Sequence, residues 1–76
     1  MNIEIGDFYK VQANGTDYGT MKIMGRLGSM FVGEVLGFGT ERTPVCFDDK
    51  GHGIDCPELK LSPLDAFAKA MIRRAF

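Results

Sequence analysis

From the N-terminus to Leu61, apolar and polar residues mostly alternate, the period of half-buried strands. Ile3-Glu4-Ile5 alternates, Gly6-Asp7 interrupts, and Phe8-Tyr9-Lys10-Val11 resumes, which predicts a first strand bent or bulged at Gly6. Asn14-Gly15 predicts a tight hairpin turn, because both residues tolerate the positive φ of a type I′ turn. A second strand is predicted from Tyr18 to Leu27, a turn at Gly28-Ser29, and a third strand from Met30 to Leu36. A three-residue loop at that turn would set Leu27 against Phe31, Ile23 against Val35 and Gly25 against Gly33. Met21, Ile23, Leu27, Phe31 and Val35 would then share the core face. Facing mid-strand glycines predict strong curvature. Residues 37–43 read as a loop, Pro44 to Phe47 as a fourth strand, Ile54 to Cys56 as its short return, and Glu58-Leu59-Lys60-Leu61 as a further extended segment.

The period then changes. Leu64, Phe67, Ala68, Met71, Ile72 and Ala75 recur at helical spacing and form one apolar stripe, with Lys69 and Arg73 opposite. Ser62 suits the N-cap and Pro63 the first helical position, with Asp65 in the first turn and Arg73 and Arg74 in the last. The expected fold is mainly β (α+β): a curved antiparallel sheet or small SH3-like barrel of four to five strands over residues 1–61. An amphipathic C-terminal helix over 62–76 is expected to pack on it within a single domain.

A chain of 76 residues has a thin core. Its 45% apolar and 25% charged content is that of a folded globular domain, not of a disordered one. The N-terminus shows no secretory pattern and no stretch is apolar for long enough to span a bilayer, so a cytoplasmic protein without membrane contact is expected. In that compartment cysteines are ordinarily free thiols. The net charge of -1 argues against non-specific nucleic-acid binding by the chain as a whole. The charge is unevenly spread, however. Acidic Glu41, Asp48, Asp49, Asp55 and Glu58 dominate the stretch before Leu59, and basic Lys60, Lys69, Arg73 and Arg74 dominate the C-terminal stretch after it.

Candidate chemistry concentrates between Val45 and Cys56. A hairpin closing at Lys50-Gly51-His52 would set Cys46 opposite Cys56, with His52 at the tip. Zinc needs three or four converging N or S ligands. His52 would lie several ångströms beyond the two thiols at the ~3.3 Å rise of a strand. A metal or disulfide at Cys46, His52 and Cys56 is therefore the lesser reading, and no metal, cofactor or catalytic residue is expected. Asp48-Asp49 followed by Gly51 and Asp55 fails the calcium-loop pattern, because Lys50 and His52 stand where acids are required. Tyr9, Tyr18, Arg26 and Arg73 are the candidates for nucleic-acid contact. Arg26, Asp48, Asp49, Asp55, Lys69, Arg73 and Arg74 are the candidates for a protein partner, and a homo-oligomer through the helix stripe is the alternative use of that face.

The run Phe31-Val32-Gly33-Glu34-Val35-Leu36-Gly37, then Val45-Cys46-Phe47-Asp48-Asp49-Lys50-Gly51, then Leu59-Lys60-Leu61, resembles a pattern in many small phage and prophage proteins. It is also similar to SH3-like small barrels. The resemblance covers residues 30–61 and implies a small β fold and no particular activity. Together these readings predict a non-enzymatic, phage-type accessory protein in the host cytoplasm. It would bind a macromolecular partner, inhibition of a host enzyme or defence complex being one form that binding could take. A nucleic-acid-binding small barrel is the alternative, and a thiol- or metal-dependent protein the third.

Overall fold

The computed structural model describes residues 2–36, 42–54 and 56–74. Strands β1 (Phe8–Ala13), β2 (Thr16–Leu27), β3 (Met30–Leu36), β4 (Arg42–Phe47) and β5 (Leu59–Pro63) form one antiparallel sheet, and α1 (Ala66–Ile72) follows. The strand order is β4-β3-β2-β1-β5. The fold is mainly β as expected, and the sheet is open rather than a closed barrel. Among the described residues, its two edges, β4 and β5, are linked by bridges from the short segment between them. Gly53 bridges to Phe47 at the end of β4, and His52 bridges to Lys60 in β5.

The turns follow the residues that make them. Asn14 at φ 51° and Gly15 at φ 81° close the β1–β2 hairpin. Asn is among the few non-glycine residues that enter this region readily. Ala13 then faces Thr16, and Tyr18 is the extra residue of a bulge that puts Asp17 opposite Gln12 and Gly19 opposite Val11. The β2–β3 register differs from the expected one. The loop has two residues, so Leu27 faces Met30 and Arg26 faces Phe31. A bulge at Met24 restores the inward phase, so Ile23 faces Gly33 and Met21 faces Val35. Leu27 is exposed in consequence and leaves the core.

Tyr9, Val11, Met21, Ile23, Phe31, Phe47 and Leu61 cover the inner face with Ile3, and Val35, Val45 and Leu59 pack around them. Each such side chain contributes about 1.5–3 kcal/mol relative to exposure. Gly33 is required at its position. A Cβ there would meet the Met21 side chain and lie 2.5 Å from the Lys22 carbonyl oxygen. The N-terminal segment closes one end. The Tyr9 hydroxyl donates to Asn2 O at 3.2 Å and accepts from Glu4 N–H at 3.1 Å. Gly6 N–H donates to Ile23 O at 2.8 Å, which makes the predicted bend a turn preceding β1 instead of a bulge within a longer strand.

The helix starts later than predicted. Ser62 and Pro63 belong to β5, where Ser62 faces Lys10 and Pro63 faces Tyr9. The Ser62 hydroxyl donates to Gln12 Oε1 at 2.8 Å and so is not a cap. Asp65 is the N-cap, its carboxylate accepting from Ala68 N–H at 2.7 Å. The predicted apolar stripe does not become core. No residue of α1 is buried, and Phe67 and Met71 are 77% and 53% exposed. Ala75 lies outside the described residues.

Candidate functional site

Side chains alternate across a strand, so the residues between the core positions share the outer face. Directly opposed pairs there are Phe8 with Lys22, Lys10 with Thr20, and Lys22 with Glu34. On the other side of β1, Lys10 faces Ser62 and Gln12 faces Lys60. Lys60, Lys10 and Lys22 therefore step diagonally over β5, β1 and β2, and neighbours of this kind sit ~7–8 Å apart. None of the three is in an ion pair among the described residues, although Lys22 lies over the Phe8 ring. Among the described residues the only ion pair joins Lys69 to Asp7 at 2.9 Å. Glu34 beside Lys22 and Asp17 are the acids of these rows, and Asp17 accepts from Gln12 Nε2 at 2.7 Å.

Phe8 anchors one end of this diagonal. Lys22 Nζ lies 5.8 Å and the Arg73 guanidinium 6.0 Å from its ring centroid, both within cation–π range. These two side chains cover the ring, which is buried although it points away from the core. At the other end Tyr18, the unpaired residue of its bulge, is 47% exposed next to the Gln12–Asp17 pair. The face thus offers a line of ammonium groups, with an exposed aromatic residue at the bulge beside it.

The predicted site residues scatter. Tyr9 is 4% exposed and tied by its hydroxyl, so it belongs to the core and presents no stacking face. Burial, first of all, pushes its hydroxyl pKa up. Arg26 is held at the β2–β3 turn, its Nε donating to Gly28 O at 2.7 Å and its guanidinium 5.2 Å from the Phe31 ring. Lys69 turns toward the domain, paired with Asp7 and 6.0 Å from the Tyr9 ring. Burial alone would raise the Asp7 carboxyl pKa, but the Lys69 ammonium and the Phe8 N–H outweigh it and hold it below the usual range. Arg73 borders a shallow hollow of about 240 Å³ with Glu4, Ile5, Gly6 and Asp7. Arg74 and Asp49 are exposed, and Asp55 lies outside the described residues.

The turn that holds the remaining candidates is tighter than predicted. Asp48 Oδ1 accepts from Lys50 N–H and His52 N–H, both at 2.9 Å, and Asp48 N–H donates to His52 O at 2.8 Å. These bonds, the His52 N–H foremost, draw the Asp48 pKa down. Asp48 is thus an organiser of the turn and not a free acidic contact. The hairpin closes early, so Phe47 faces Gly53 and Cys46 O accepts from Ile54 N–H at 3.0 Å. Cys46 is not opposite Cys56, contrary to the sequence expectation. Both are free cysteines, and the two residues border one hollow with Pro44, Val45 and Leu59. Among the described residues no group of three His, Cys, Asp or Glu side chains is placed to hold a metal ion. Nor is any helix among them long and apolar enough to cross a membrane.

Sequence reasoning sets Lys10 and Lys22 beside the aromatics of a possible stacking platform for single-stranded nucleic acid but does not single them out as site residues, and it misses Lys60. The signal was the alternation Phe8-x-Lys10-x-Gln12, which fixes Lys10 outward, but the diagonal emerges only once β5 is paired with β1. No known protein family, curated protein or solved structure matches the chain.

Proposed function

We propose that this protein is a non-enzymatic binding module that holds single-stranded nucleic acid across the outer face of its sheet. The observation that carries the reading is the diagonal Lys60–Lys10–Lys22, without an ion pair among the described residues and with Tyr18 exposed beside it. Unpaired cations that follow a phosphate backbone, with an aromatic ring for a base, are the chemistry of sequence-tolerant single-strand binding. The net charge of -1 is no obstacle, since Asp48, in the turn that bridges to Lys60, is engaged by backbone N–H groups. Fluorescence anisotropy with a labelled single-stranded oligonucleotide at low salt tests it. Binding at micromolar protein is expected, weakened at least about tenfold in K10E/K22E/K60E, since each phosphate contact adds to affinity. No binding by the unaltered protein, or equal binding by the variant, rejects the reading.

A second reading rests on Phe67 and Met71, which α1 leaves exposed one turn apart. They suit a phage-type accessory protein that docks a host protein through this helix in the cytoplasm. Capture of one recurrent host protein by the unaltered chain, lost in F67S/M71S, would favour it over the nucleic-acid reading.

A further inference from the structure

Phe8 stands on the outer face of β1, directly opposite Lys22, where the lysine diagonal ends. It is only 3% exposed, with Lys22 Nζ 5.8 Å and the Arg73 guanidinium 6.0 Å from its ring centroid. Lys22 belongs to the sheet. Arg73 is the C-cap of α1, and that helix is lightly held. Lys69 pairs with Asp7 at 2.9 Å, in a contact that solvent reaches, and its Nζ lies 6.0 Å from the Tyr9 ring. Ala68, Lys69 and Ile72 are half-buried, no residue of α1 is buried, and Phe67 and Met71 stand in solvent. A partly solvated ion pair and a cation–π contact are each weak attachments. Once detached, the seven residues of α1 do not sustain a helix, because isolated helices shorter than about 12–15 residues are marginal in water. Undocking and melting of α1 are therefore one event.

We infer that α1 is an autoinhibitory strap on the nucleic-acid face: docked, it keeps Arg73 over Phe8, and undocked, it opens Phe8 as a stacking position beside Lys22. The inference rests on the nucleic-acid reading and adds its regulation. A ring next to a cation is what single-strand binding uses, the base on the ring and a phosphate at the ammonium group. The Arg73 guanidinium competes with the base for the same ring. A bound strand shifts the equilibrium toward the open form by no more than the contacts it gains there, so the strap lowers affinity without abolishing it.

The test compares the unaltered chain with R73Q by fluorescence anisotropy, using a labelled single-stranded oligonucleotide at low salt. R73Q removes a positive charge, so a merely electrostatic role for Arg73 weakens binding. The strap predicts the opposite sign, a gain of about threefold to tenfold, the scale of the contacts that hold α1 down. Measured against F8L, the double variant R73Q/F8L should show no such gain. Amide hydrogen exchange gives a second readout on the unaltered chain. The N–H groups of Lys69 and Arg73, bonded to Asp65 O and Lys69 O within the helical segment, should exchange several-fold faster in the oligonucleotide complex, while those of β1 and β2 should not. Equal or weaker binding by R73Q, a gain that survives in R73Q/F8L, or α1 amides that exchange no faster in the complex overturns the strap and leaves the nucleic-acid reading standing. Absence of binding by the unaltered chain rejects that reading, and the strap with it.

Discussion

The inner face of the sheet and the C-terminal helix carry similar residues and use them in opposite ways. Phe47 and Met21 are fully buried, whereas Phe67 and Met71, equally apolar, stand in solvent on α1. The difference lies in what each element can meet. Every inner strand has a hydrogen-bonded neighbour that brings facing side chains together, while α1 touches the domain through Lys69 on Asp7, and Arg73 just beyond it lies over Phe8. An apolar stripe is therefore not a guarantee of burial. In a small domain the sheet fills its own core first, and the helix docks by whichever face the chain's exit from β5 presents.

This contrast can be broken most sharply in the core. Phe47→Ala should cost about 3–5 kcal/mol, enough to unfold much of so small a domain, whereas Phe67→Ala should stay within about 0.5 kcal/mol of the unaltered chain. Urea denaturation of both decides it, and comparable losses would mean that the helix is core after all. Next comes Gly33→Ala. Its methyl group must displace Met21 or press on the Lys22 carbonyl, and a loss of about 1–3 kcal/mol is expected by the same measurement. Asn14→Ala should cost about 1–2 kcal/mol, the penalty for placing a side chain without Asn's local hydrogen bonding at φ 51°.

The helix attachment should give the smallest effect. The Lys69–Asp7 pair is partly solvated, so Asp7→Asn should change stability by at most about 1 kcal/mol. Its pH dependence has a definite sign. The folded pKa of Asp7 lies below its unfolded value, so the pair's contribution is complete above the unfolded carboxylate range near pH ~4 and fades as pH falls through the folded pKa. Melting curves of the unaltered chain and of Asp7→Asn should converge on acidification. A gap that stays constant down to about pH 2 would show that the charge of Asp7 is not what holds the helix. Tyr9 acts at the other end of the scale. Its raised pKa means that its contribution is complete below the unfolded value near pH ~10 and is lost as pH rises through the folded one.

Local signals made most of the sheet legible in the sequence. Alternation located β3 from Met30 to Leu36, and Asn14-Gly15 located the first hairpin, because both depend on neighbouring residues alone. Competition and register hid the rest. Ser62-Pro63 carries a helix-start signal, but pairing with β1 claims those residues and Asp65 takes the cap instead. The bulge at Met24 leaves no mark in the alternation yet shifts the β2–β3 pairing, and the Asp48 turn moves Cys46 out of line with Cys56. The lysine diagonal was the least legible feature. It depends on β5 meeting β1 across a separation of 50 residues, as the Ser62–Gln12 hydrogen bond records.

The most direct test of the outer-face reading is the salt dependence of single-stranded oligonucleotide binding, measured side by side for the unaltered chain, K10E/K22E/K60E and F67S/M71S. If three lysines neutralise phosphates, the log of the affinity should fall with the log of salt concentration at a slope of about -2. That slope should persist in F67S/M71S, and binding should be lost in the lysine variant. A slope near zero, or loss of binding in the helix variant with the lysine variant unaffected, would contradict the account and move the binding surface from the sheet to the helix.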